Sequence, residues 1–109
     1  MSGDYPVGGY KGLAKPVFDI DSVSLTSLLN DMNHGMKYLR GEKEISLKAT
    51  DFFIGGVVSP FKKYENELMP QYFKLEKKIK NGAAYIITQI GYDSRKFHEL
   101  LCYLSYRKM

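Results

Sequence analysis

Between Gly82 and Asp93 the chain reads Gly-Ala-Ala-Tyr-Ile-Ile-Thr-Gln-Ile-Gly-Tyr-Asp, and this run limits the fold more than any other. Gly82 follows a lysine-rich helical stretch and suits the left-handed position that closes a helix. Ala84 to Ile87 is short, apolar and partly β-branched without polar alternation, which is the pattern of a strand covered on both faces of a parallel sheet. Thr88 and Gln89 then set a hydroxyl and an amide at the carboxyl end of that strand, the edge where parallel α/β folds gather ligands. Gln89 is on that ground a candidate ligand contact. The alternative is that both side chains serve loop backbone groups.

A second strand is expected within Thr50 to Val58, where Gly55 and Gly56 let a ligand or a neighbouring helix approach the backbone closely. Ser59-Pro60-Phe61 breaks it, and Glu65 to Lys80 then carries Leu68, Tyr72, Leu75 and Ile79 on a helical stripe. Pro70 either kinks this helix or marks its first position. Lys74 and Lys78 lie on one side of it, either as surface lysines or as a pair able to grip a diphosphate. Past the opening run, Asp93 or Ser94 caps a last helix with Phe97, Leu100, Leu101 and Leu104 inward. These segments make two strand-helix units, 50–81 and 82–109.

Upstream, Asp21 or Ser22 caps an amphipathic helix predicted over 21–41, with Leu25, Leu28, Leu29, Met32 and Met36 on one face. Gly35 weakens its last turns, Gly41 ends it, and His34 lies off the stripe in an exposed position. Residues 1–20 hold Gly3, Pro6, Gly8, Gly9, Gly12 and Pro16 and read as a long loop of the functional kind. The cluster Gly8-Gly9-Tyr10-Lys11-Gly12 lacks the ending of a phosphate loop. Asp4 is either a turn residue or an acid placed at a site. His98 and Cys102 are spaced for one side of a helix, but no further ligand accompanies them and no metal is expected.

A chain of 109 residues with 44% hydrophobic residues is a single domain that folds, not a disordered tail. Its net charge of +4 comes from basic residues scattered along helices, with no nucleic-acid motif. No apolar run approaches the roughly twenty residues that span a bilayer. Neither nucleic acid nor membrane is therefore an expected partner, and the lone Cys102 points to the cytoplasm. The order loop, helix, strand, helix, strand, helix is that of a parallel α/β protein. Two parallel strands alone leave unpaired backbone on both outer edges, so the sheet needs strands from a larger protein or from assembly.

Order and spacing of several markers narrow this further: Gly3-Asp4 heading the long loop, Asp21-Ser22 opening the next helix, and Leu75-Glu76-Lys77-Lys78-Ile79 leading into Gly82-Ala83 and Thr88-Gln89. Over nearly its whole length the chain resembles the methylenetetrahydrofolate reductase family, flavoproteins built on a (β/α)8 barrel. The resemblance implies a partial TIM barrel of about two strand-helix units plus a preceding loop and helix. It implies reduction of 5,10-methylenetetrahydrofolate to 5-methyltetrahydrofolate by hydride transfer from FAD, which is itself reduced by NADH, NADPH or another donor. Asp4 would then be the catalytic aspartate near flavin and folate, and Gln89 the amide that contacts the folate pterin. Gly3, Asp4, Phe18, Gln71 and Lys78 would contact the flavin cofactor, with Lys78 at its diphosphate.

The chain departs from the family pattern in places. Ser2 stands where an arginine often precedes the Gly-Asp pair, Phe18 where some members have tyrosine, and Val57-Val58 lacks a tyrosine that others place against the flavin. The family's general-acid glutamate and its substrate-stacking aromatic fall outside the chain. The resemblance thus implies a fragment that is inactive alone, completed by a homo-oligomer or by barrel segments from another chain. The alternative is a non-catalytic binding or interaction module derived from the same barrel.

Overall fold

The computed structural model describes residues 19–109, which form three helices and two small two-stranded sheets, a mixed α/β arrangement. Helix α1 spans Ser22–Asn33, and Asp21 caps it by accepting from Ser24 N–H at 2.8 Å. The helix stops well short of residue 41. His34 caps its carboxyl end, and Gly35 follows at φ +85°, the left-handed conformation that turns the chain out of a helix. The expected last turns are instead an antiparallel hairpin of β1 (Lys37–Arg40) and β2 (Lys43–Ser46). Gly41 serves as its turn. With φ +67° at Gly41 and no positive φ at Glu42, the two-residue loop has the type II′ pattern that matches strand twist.

Strands β3 (Gly55–Val58) and β4 (Tyr85–Thr88) pair in parallel, with Gly55 opposite Tyr85 and Val58 opposite Thr88. Helix α2 (Glu65–Lys80) is the crossover between them, and α3 (Ser94–Tyr106) follows β4. Asp93 caps α3, accepting from the N–H groups of Arg95 and Lys96. Gly82 closes α2 at φ +94°, as expected of it. Pro70 lies inside α2, not at its first position, and so deletes the hydrogen bond that would reach Asn66. The strand expected over 50–58 is shorter, because β4 begins opposite Gly55 and offers nothing to the residues before Ile54. The Asn33 side chain takes the partner's place: it accepts from Phe52 N–H and donates to Phe52 O, both at 2.8 Å.

Only one face of the β3–β4 pair is sealed. Leu68, Tyr72 and Leu75 of α2 close over Val58, with Leu100 of α3 joining them and Met69, Ile79, Ile86, Tyr103 and Leu104 around the margin. On the opposite face Val57 is 50% exposed, Tyr85 42% and Ile87 57%. Burial on both faces is thus not met, since every described helix that packs on this sheet does so from one side. On α3 the inward stripe is Leu100, Tyr103 and Leu104, while Phe97 and Leu101 are exposed. No described helix is long and apolar enough to cross a membrane.

Two side chains decide how α2 holds α3. Glu76 is 6% exposed and takes a bidentate pair from Arg107, Nε to Oε1 and Nη2 to Oε2, both at 2.9 Å, while the Tyr103 hydroxyl donates to the same carboxylate. These donors hold the Glu76 carboxyl below the usual carboxylate range. Its stabilising contribution is present above the unfolded carboxylate range and is lost as pH falls through the folded one. Glu76→Gln is therefore expected to lower the melting temperature at neutral pH, with the gap to wild type closing as the medium is acidified. Melting curves that stay parallel across that range would exclude the clamp as a source of acid sensitivity.

Tyr72 is the converse case: its ring packs against Tyr103 in a tilted pair with centroids 4.5 Å apart, but its buried hydroxyl has no partner among the described residues. Burial, with the nearby Glu99 and Glu65 charges, pushes the phenol up to about 12. Because the folded chain keeps a proton that the unfolded chain gives up near pH 10, the stability linked to Tyr72 falls as pH rises through the phenol range. Tyr72→Phe removes a buried donor without a partner and is expected to be neutral or stabilising by up to about 1 kcal/mol, and to flatten that alkaline fall. Chemical denaturation at neutral and alkaline pH measures both.

Candidate functional site

The carboxyl ends of β3 and β4 lie side by side, and the ladder runs one bond past the strands, from Gln89 N–H to Val58 O at 2.9 Å. Gln89 is held there by its backbone. Its side-chain amide is exposed and makes no hydrogen bond to another described residue, so the loop does not use it. Two loops meet above this edge, one after β3 carrying Phe61 and one after β4 carrying Gly91. A Cβ on Gly91 would lie 2.3–2.5 Å from three Phe61 ring atoms, so only glycine lets the ring rest on that backbone. Between the loops is a depression of about 450 Å³ lined by Phe61, Thr88, Gln89, Tyr92, Ser94 and Phe97 among others.

Lys78 is not a surface lysine. It is 7% exposed, its stem crosses Gly56, whose Cβ would lie 3.2 Å from Lys78 Cδ, and its Nζ donates to Val57 O at 2.7 Å. Val58 O faces β4, and successive carbonyls alternate along a strand, so Val57 O faces the outer edge of β3. The ammonium therefore covers an unpaired edge carbonyl. No carboxylate lies within ion-pair distance of it among the described residues. Burial lowers the Lys78 pKa, the Lys74 charge adds to this, and the Asp21 charge opposes it. Lys74 itself is exposed, so the two lysines do not act as a pair in solvent.

The paired glycines of β3 are filled from within the chain. The Tyr85 ring sits where a Cβ on Gly55 would be, and Ile86 with Lys78 crowds Gly56, so neither position is open to a ligand. Gln71 is half-buried on α2, two turns before Lys78 and on the same face. Gly3, Asp4 and Phe18 lie outside the described residues. The His98 ring and Cys102 thiol touch at 3.4 Å on the exposed side of α3, and no group of three metal-ligating side chains occurs among the described residues.

Two lining residues were not singled out by the sequence reading. Phe61 is an apolar residue in a loop directly after a strand, and Gly91 is a glycine between the bulky Ile90 and Tyr92; each is a weak sign alone. Together with the Gln89 amide they make a cleft that can hold a planar polar ring by stacking and by its edge. Asp93, the carboxylate in the lining, is engaged in capping α3. Comparisons of the chain with protein-family models, with curated proteins and with solved structures find no match.

Proposed function

We propose that the chain is a segment of a flavin-dependent oxidoreductase barrel of the methylenetetrahydrofolate reductase type, working in the cytoplasm on a reduced folate. The observation that carries the reading is Lys78, a buried lysine whose ammonium makes one hydrogen bond, has no described carboxylate partner, and lies near the carboxyl end of β3. An ammonium has three donors, and two remain for an anion such as the diphosphate of FAD. The chain's residues fit that group. FAD, when bound and reduced by NAD(P)H or another donor, supplies hydride chemistry. Lys78 binds its phosphates, Gln71 supports it from the same helix face, and Gln89 orients the pterin of 5,10-methylenetetrahydrofolate through its free amide. Asp4, with Gly3 and Phe18 in the preceding loop, is assigned to flavin and folate on the resemblance alone.

The consecutive units β3–α2 and β4–α3 support a (β/α)8 barrel with further strands on both edges, supplied by a longer protein or another chain. The open edges and the apolar face formed by Phe53, Val57, Tyr85 and Ile87 favour such completion. The same face favours a second reading, an interaction module of barrel origin that has lost catalysis. On either reading turnover by the isolated chain is not expected.

Titration with FAD, followed by quenching of flavin fluorescence, separates the two. The flavoprotein reading expects saturable binding that Lys78→Met weakens by about tenfold or more, the scale of one charge-assisted hydrogen bond. Gln89→Leu should leave FAD binding alone and weaken binding of a reduced folate. Since burial lowers the Lys78 pKa, the anion contact should fade as pH rises, at a lower pH than an exposed lysine would show. No saturation by the folded wild-type chain, or equal binding by Lys78→Met, would move the weight to the interaction module.

A further inference from the structure

The depression at the carboxyl edge contains one aromatic ring that the chain holds in place. Pro60 is among the most deeply buried residues, which anchors the loop immediately before Phe61. Phe61 itself is half-buried, and it rests on the bare backbone of Gly91 in the opposite loop. The other rings at this mouth are not fixed in the same way. Tyr92 is 99% exposed, and Phe97 projects from the first turn of α3 at 43% exposure. A ring pinned between two loops and still open to a cleft of about 450 Å³ has the setting of a stacking surface, within the size range of small-ligand pockets.

Next to it stands Gln89, whose amide offers both a donor and an acceptor and is not used by the described loops. A stacking face plus a bidentate amide selects a flat ring with hydrogen-bonding groups along its edge. Phe61 brings no polar group of its own, so orientation falls to Gln89 and the hold on the ring face to Phe61.

We propose that Phe61, seated on Gly91, is the platform on which a planar heteroaromatic ring of the ligand stacks while Gln89 reads the edge of that ring. This assignment rests on the ligand-binding reading of the carboxyl edge, and it makes Phe61 a positioning residue that touches the ligand. Pterin and isoalloxazine share the required chemistry.

The test is a pair of titrations of the full chain, one with 5-methyltetrahydrofolate and one with FMN, followed by proton NMR of the ligand. Stacking over a phenyl ring moves ligand ring protons upfield, which a purely structural contact between loops does not do. Phe61→Leu is expected to weaken binding by about threefold to tenfold, the scale of one aromatic contact, and to abolish the upfield shift. Phe61→Tyr should restore both, and Gly91→Ala, which displaces the ring, should behave as Phe61→Leu. A melting curve for each variant separates loss of the platform from loss of the fold. A shift in one arm only assigns the platform to that ring. If Phe61→Leu keeps the affinity and the shift while Gln89→Leu loses binding, the platform is wrong and the site reading stands. If the folded wild-type chain binds neither ligand, both fall together.

Discussion

Strands β3 and β4 stay paired because the helix that joins them folds back and seals one side of the pair. A parallel ladder cannot be closed by a tight turn, so its partner strand arrives only after a crossover, and here that crossover is α2. Leu68, Tyr72 and Leu75 on α2 bury Val58, and Leu100 of α3 completes the same cluster. The other described contacts follow from this layer. Glu76, one turn after Tyr72 on the same flank of α2, holds Arg107 and Tyr103, which brings in the end of α3. Asn30 of α1 packs against Gly82 at the end of α2, and Asn33 holds the extended segment that leads into β3. With the layer fixed, the carboxyl ends of both strands, and with them Gln89 and the loop of Phe61, have one place to be.

The same layer leaves the other face of the sheet uncovered among the described residues. Val57, Tyr85 and Ile87 alternate with residues that α2 covers, so they point to the side where no described element lies. Phe53 stacks on Tyr85 at 5.0 Å and shields a little of that surface. At roughly 25 cal/mol per Å² of apolar area, leaving such side chains in water forgoes a substantial part of what a sheet of this composition could gain. Apolar residues on both faces are the composition of an interior strand. Among the described residues no second layer meets them.

Much of this was legible in the residues. Capping aspartates, the glycine stop at Gly82, the apolar stripe of α2 and the β-branched run of β4 each have a local cause, and each led to the right element. Failures occurred where local signals were shared between structures. Gly35 and Gly41 are both compatible with a helix that frays; the left-handed Gly35 ends it, and Gly41 belongs to a hairpin whose residues, nearly all exposed, show little apolar alternation. Length set the limit on β3, because a strand is only as long as its partner, and the partner's start is fixed by Gly82 on the far side of the crossover helix. At the candidate site, the amide of Gln89 was visible from its place after a strand. Phe61 and Gly91 were not, since their pairing joins two loops that sequence order keeps apart. Burial of Lys78 was hidden for a similar reason: lysine is usually exposed, and only the space left beside Gly56 admits its stem.

Lys78 also joins the open edge of β3 to the proposed site. Its ammonium donates to Val57 O, which faces the outer edge of β3 and would otherwise be an orphan acceptor. A strand added on that edge brings its own N–H groups, and Val57 O then has a backbone partner. The ammonium is left with its donors free, still sheltered by Gly56 and the end of α2, and a buried cation without a partner favours an anion strongly. On the flavoprotein reading proposed above, two donors of the ammonium already face an anion while the third serves the edge, and a strand paired to Val57 O would free that third donor as well. On that proposed reading, completing the sheet and charging the anion site would be coupled through one carbonyl.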